Sequence, residues 1–142
     1  MRMEPRDRIE RTMTFHAPPE QVWAALTEPD QLSKWFGDDA EVELRPGGEA
    51  VFRWGEIEIR AVVDVVEPPT RFAYRWEPSH APDGGPTTLV EFTLEEIAGG
   101  TRLRLVESGF DALGEESLRE NEYGWDDELA QLREHLAARV RA

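Results

Sequence analysis

One change of rhythm constrains this chain more than anything else in it. From residue 8 to residue 107 the apolar side chains recur mainly at every second position, with one interruption, and beyond Gly109 they recur at every third or fourth. Period two marks a strand with one buried face, and the longer period marks one stripe of a helix. Residues 8–16 open the series, with Ile9, Arg11, Met13 and Phe15 opposite Arg8, Glu10, Thr12 and Thr14. The segments 40–44 and 49–54 flank Arg45-Pro46-Gly47-Gly48, a hairpin turn signal. Residues 57–66 form a long strand with Ile57, Ile59, Ala61, Val63 and Val65 on one face, closed by Pro68-Pro69. Phe72, Tyr74 and Trp76 then share a face, as do Val90, Phe92 and Leu94, and Leu103, Leu105 and Glu107. The interruption is Ala17–Phe36. There Pro18-Pro19 starts one short helix through Val22, Trp23, Ala25 and Leu26, and Thr27-Glu28-Pro29-Asp30 starts another that Gly37 stops. After Gly109, the residues Leu118, Asn121, Trp125, Leu129, Leu132 and Leu136 trace a helix of five turns or more.

This order predicts an α+β fold: a seven-stranded antiparallel sheet, two short helices after the first strand, and one long C-terminal helix to cover the apolar face. A sheet of that size twists and curves, and a single helix does not fill the concavity. The side chains aimed at the gap are Phe52 and Trp54, Phe72, Tyr74 and Trp76, Val90 and Phe92, and Trp125. Ala61, Trp35 and Leu129 complete the apolar candidates. Concave, mostly apolar surfaces with a few placed polar groups are where small molecules bind. Gly124, inside the helix, costs about 1 kcal/mol relative to alanine and implies either close backbone approach or space beside it. The segment 78–86, rich in proline and glycine, reads as a mobile loop.

Composition removes several classes of function. The 142 residues carry 16 basic and 30 acidic side chains, a formal net charge of −14. That balance argues against nucleic acid, whose binding runs on Lys and Arg neutralising phosphates, and against anionic membrane surfaces. With no cysteine, disulfides and thiolate chemistry are absent. No apolar run approaches the roughly 18 residues of a membrane helix, and the first residues hold no signal-peptide core. The reading is one domain over 1–142, with its core at about 8–138, in the cytoplasm.

The element order, with Pro18-Pro19-Glu20-Gln21-Val22-Trp23-Ala24-Ala25-Leu26-Thr27 and then Leu32-Ser33-Lys34-Trp35-Phe36-Gly37, resembles the START-like (SRPBCC) superfamily. Within it the chain is similar to the group named for the activator of the heat-shock-protein-90 ATPase. Gly99-Gly100-Thr101-Arg102-Leu103-Arg104-Leu105, Ser108-Gly109-Phe110 and Gly124-Trp125-Asp126-Asp127-Glu128-Leu129 carry the same likeness. The resemblance covers roughly residues 8–138 and implies a helix-grip fold, with a deep hydrophobic cavity between the sheet and the C-terminal helix. Members of the superfamily bind lipids, sterols, polyketides and other apolar molecules; some are aromatase/cyclases and some are co-chaperones.

Three polar residues fall on inward faces: Arg11, Glu107 and Asn121. Either they fix a ligand's orientation, with Glu107 as a carboxylate raised in pKa, or Arg11 and Glu107 form a salt bridge at the cavity end. The resemblance pairs the strands that carry them. Asn121 needs partners if it is buried. Tyr74 points at the same cavity and, with Glu107, is the candidate acid/base should the domain be a cyclase, aromatase or hydrolase. His16, His80 and His135 have no ligand spacing, so no metal site is expected, and no cofactor. Asp38-Asp39 and Asp126-Asp127-Glu128 read as solvated or helix-capping runs, with Asp126 and Asp127 facing water. None of the four serines sits in a G-x-S-x-G elbow, and no nucleotide motif occurs. Trp35 and Phe36 look exposed, as a lid or a dimer patch, so monomer and homodimer both stand.

The expected function is the binding of an apolar, ring-containing small molecule. An enzyme using the same cavity is one alternative, and a co-chaperone-like interaction domain is another. For the latter, the related co-chaperone carries an additional N-terminal domain for which these residues leave no room.

Overall fold

The computed structural model describes residues 7–77 and 86–141, with side chains through residue 138. The loop expected over 78–86 lies outside the described residues except for its last position, and His80 and Ser79 lie outside with it. The strands are β1 (Arg8–Phe15), β2 (Asp39–Val42), β3 (Glu49–Trp54), β4 (Ile57–Glu67), β5 (Arg71–Trp76), β6 (Thr88–Ile97) and β7 (Gly100–Ser108). The helices are α1 (Pro19–Thr27), α2 (Pro29–Trp35) and α3 (Glu115–Arg141), with a single 3₁₀ turn at Phe110–Ala112 before α3. All strands pair antiparallel in the order β1-β7-β6-β5-β4-β3-β2, so the first strand closes against the last. This is the helix-grip architecture, a curved open sheet with one long helix across its concave face.

Local chemistry sets the ends of the helices. Proline stands at the first position of α1 and of α2, where a missing N–H is harmless and the fixed φ suits a helix. Glu115 and Glu116 lie in the first turn of α3, where negative charge complements the helix dipole. Gly37 ends α2 with φ +85°, and a Cβ there would sit 2.6 Å from the carbonyl oxygen of Arg53. Only glycine permits that approach, and the N–H of Asp38 then bonds the same carbonyl at 2.7 Å. The end of α2 is thereby fastened to β3, which seats Phe36 against the sheet.

Two expectations change. Trp35 and Phe36 are not exposed: they are 1% and 4% accessible, and the Trp35 indole N–H donates to the Ala25 carbonyl at 2.8 Å. The Gly37 fastening is what turns them inward. Strict alternation also fails in β4, where the register shifts between Val63 and Val65. Beyond that bulge Val66, rather than Val65, lies opposite Phe72 and packs on the core. Several of the many charges pair on or near the sheet. Arg53 bonds Asp39, Glu41 and Glu58, Arg60 bonds Glu49, and Arg104 bonds Glu10. Such exposed pairs contribute about 0–1 kcal/mol each, so the core carries the stability.

Candidate functional site

At the centre of the helix–sheet interface is a buried carboxylate. Glu107, on β7 opposite Ile9 of β1 and Val90 of β6, is 1% accessible. The Thr88 hydroxyl donates to its Oε2, the Trp125 indole N–H donates to Oε1 at 2.7 Å, and the Asn121 amide donates to both oxygens at 3.0 and 3.1 Å. Burial pushes the Glu107 carboxyl up, and the three donors pull part of the way back, since each favours the charged form. β6, β7 and α3 are tied together through this one side chain. Nearby, burial and then the Glu107 charge push the Tyr74 phenol well above its ordinary value.

Arg11 does not join this cluster. It pairs with Leu105 on the edge strand β1, and its guanidinium reaches outward to α3, bonding Asp126 at 2.8 Å and Glu122 at 3.3 Å. The expected Arg11–Glu107 bridge is absent because three neutral donors already satisfy the carboxylate, so no cation need be stripped of water to reach it. Asp126 is accordingly an ion-pair partner as well as a solvated residue.

Beside Glu107 lies a recess of about 90 Å³, lined by Phe36, Trp54, Ile59, Trp76, Glu107, Asn121, Gly124, Trp125 and Glu128. Phe36 is its hub. The ring stacks on Trp125 at 5.3 Å and stands edge-on to Trp54 at 5.1 Å, with Trp76 at 5.7 Å. Gly124 is exposed at the rim, and an added Cβ there would meet nothing within 4 Å. Glu128 is half-buried at the other end, and the Trp54 indole N–H donates to it at 3.1 Å. Burial pushes its carboxyl up, the Trp54 bond lowers it, and Asp127 and Asp38 push it up again.

Of the residues singled out in the sequence, the recess therefore brings together Trp54, Trp76, Glu107, Asn121 and Trp125. Phe52, Phe72, Tyr74 and Phe92 form the packed layer beneath, in contact with one another at 5.6–6.4 Å between centroids. Trp35, Ala61, Val90 and Leu129 are core residues. The concavity is mostly filled by its own rings, and the cavity is shallower than the deep one the resemblance implies. Phe36, Ile59, Gly124 and Glu128 are not among the lining residues expected from the sequence, where Phe36 reads as a lid or dimer patch and Gly124 as a mark of close approach or space beside the helix. For Gly124 and Glu128 there was a signal: Asn121, Gly124, Trp125 and Glu128 stand at i, i+3, i+4 and i+7, one helical stripe. The acidic run at 126–128 thus divides, with Glu128 turned to the recess. A larger groove of about 220 Å³ runs between the end of β1 and the last turns of α3, but its polar lining residues Thr14, His16 and Arg133 are all exposed.

Residues 16–137 match the family of Activator of Hsp90 ATPase homolog 1-like proteins. The chain belongs to that family. Solved structures of similar fold include the protein MLL2253 from Mesorhizobium loti, at 25% identity and TM-score 0.83, covering 92% of this chain and 97% of that one. DynU16, of the dynemicin biosynthetic locus, is 26% identical with TM-score 0.80 over 94% of this chain and 48% of its own. This chain thus spans about half of DynU16. The Aha1 dimer from Colwellia psychrerythraea, at 22% identity, TM-score 0.79 and coverage of 91% and 95%, shares the fold. No curated protein sequence matches the chain. Among the described residues, no helix of this Aha1-like domain is long and apolar enough to cross a membrane.

Proposed function

We propose that this Aha1-like domain binds a small apolar molecule, of the ring-containing class that polyketides represent, in the recess between its sheet and α3. One observation carries the reading. Where α3 crosses the sheet, an exposed glycine, Gly124, stands at the rim, and the recess beside it is walled by Phe36, Trp54, Trp76 and Trp125. Removing apolar surface from water drives such binding at about 25 cal/mol per Å². A benzene ring occupies a cavity of about 150 Å³, so a recess of about 90 Å³ takes a compact group as it stands. A whole ring enters with Phe36 or Trp54 displaced. The place of the similar protein DynU16 in a biosynthetic locus supports a small-molecule ligand.

The arrangement of Glu107 favours binding over catalysis. Four hydrogen bonds occupy its two oxygens, about the full acceptor capacity of a carboxylate, so proton transfer to a ligand first requires breaking them.

The test is thermal unfolding with tryptophan emission against a panel of polyketide-like aromatics, flavonoids and sterols, on wild type and Gly124→Leu. A ligand at 100 times its Kd adds about 2.7 kcal/mol, a shift of several degrees. The variant removes a helix-interior glycine, so it folds at least as stably, and a leucine side chain over the rim of the recess is expected to lose the shift. No shift in wild type with any class, and unchanged emission, sinks the reading and favours the chaperone-type protein partner in the family's name.

A further inference from the structure

The recess has an electrical character that its apolar area hides, and we propose that the group entering it is positively charged: a compact alkylammonium or quaternary ammonium head of a small molecule. The inference rests on the recess being a binding site and names the chemistry of what it takes.

Two kinds of group line the walls, and both select for a cation. Phe36, Trp54, Trp76 and Trp125 are aromatic, with centroids 5.1–5.9 Å apart where Phe36 meets the three indoles and Trp54 meets Trp76. The faces of such rings attract a cation held within about 6 Å, most strongly in a desolvated site. The lining also holds two carboxylates, Glu107 and Glu128, and no basic residue among those described. An anionic or acceptor-rich ligand finds little to bond. The indole N–H groups of Trp54 and Trp125 and the amide of Asn121 are each already directed onto a carboxylate. With their positive N–H edges tied down, what these two indoles have left to offer is π surface, one face of Trp125 being already stacked on Phe36.

Glu128 makes the case specific. It is half-buried, has the one neutral donor Trp54, and forms no ion pair among the described residues. Glu122, a turn and a half earlier on α3, has Arg11. A carboxylate partly removed from water with a single neutral donor is an incomplete arrangement, which a cation in the recess completes. About 90 Å³ takes a small ammonium group as it stands, and a trimethylammonium head, about the size of a benzene ring, enters with Phe36 or Trp54 displaced as a ring does. At long range the net charge of −14 concentrates cations at the surface.

Choline and its neutral isostere 3,3-dimethylbutanol separate charge from shape. Tryptophan emission of the whole chain is titrated with each, for wild type, Glu128→Gln and Gly124→Leu. The expected result is saturable binding of choline about tenfold tighter than of the alcohol in wild type. Glu128→Gln reduces that preference severalfold, leaving the part that the rings supply, and Gly124→Leu binds neither. Equal affinities in wild type, or a preference undiminished in Glu128→Gln, overturn the inference. If polyketide-like aromatics bind while choline shows no advantage, the ammonium assignment falls and the binding reading stands. If nothing binds, both fall.

Discussion

The two ends of the recess each carry a glutamate raised by burial, and there the likeness ends. Glu107, at the inner end, is nearly inaccessible and holds donors from β6 and from two turns of α3. Glu128, at the outer end, is half-buried and holds the one indole of Trp54. The same residue type becomes a clamp in one place and an incomplete site in the other, and donor count decides which. A buried carboxylate with its acceptor sites filled resists rearrangement, whereas one with capacity left over is where a ligand gains most. Phe36 stands between them, stacked on the indole that serves Glu107 and edge-on to the indole that serves Glu128.

Removing that divider gives the largest effect. Phe36→Ala deletes a 4%-accessible ring from the centre of five aromatic contacts and costs about 4 kcal/mol. Urea or guanidinium denaturation measures it directly. A cost below about 1 kcal/mol would mean that Trp54 and Trp125 close over the gap, and the two ends would then not be separate regions.

The next largest effect belongs to the inner end alone. Glu107→Leu leaves the buried Trp125 indole and Thr88 hydroxyl and the half-buried Asn121 amide without their acceptor, at about 3 kcal/mol and roughly 10 °C in Tm. The corresponding change at the outer end, Glu128→Leu, frees one indole N–H next to solvent and costs about 1 kcal/mol or less. Equal costs at the two ends would dissolve the distinction drawn between them.

Acidity sharpens the comparison further. Both carboxyls are raised in the folded chain, so in the unfolded chain each loses its proton at lower pH. The folded state then holds more protons, and stability falls as pH rises from the ordinary carboxyl value of 4.5 through the raised one. Glu128→Gln removes that dependence at its own site, so the variant gains on wild type as pH rises through this window. Tm profiles of the pair check the sign; a variant that loses ground with rising pH contradicts the raised carboxyl.

The architecture was legible because it depends on period. Alternation placed Phe52, Tyr74, Phe92 and Leu105 on inward faces, and the helical stripe placed Leu118 through Leu136, with no knowledge of partners required. The recess was legible only in part, since its volume is a residual of packing. Which rings fill the concavity and which line what is left depends on rotamers and on how α2 is fastened, and Phe36 reached its place through the Gly37–Arg53 contact, some 16 residues apart in the chain. Sequence gives a charged residue its face but not its reach, and Arg11 illustrates this. It lies on the inward-facing row of β1 and still bonds outward, because an edge strand lets a long side chain pass around it to α3.

That reach supplies the smallest and most discriminating test. If the sequence-based pairing were correct, Arg11 and Glu107 would couple; in the structure, Arg11 couples to Asp126 at 2.8 Å and to Glu122 at 3.3 Å. A double-mutant cycle of Arg11→Met with Asp126→Asn should give about 0.5 kcal/mol, the size expected of a partly solvated pair, and salt should reduce it. The cycle of Arg11→Met with Glu107→Gln should return about zero, within the few tenths of a kcal/mol to which independent sites add. Coupling above about 1 kcal/mol in the second cycle would place a cation at the inner end after all. Glu107 would then be an ion-pair partner, its three donors would be secondary, and the contrast with Glu128 would rest on burial alone.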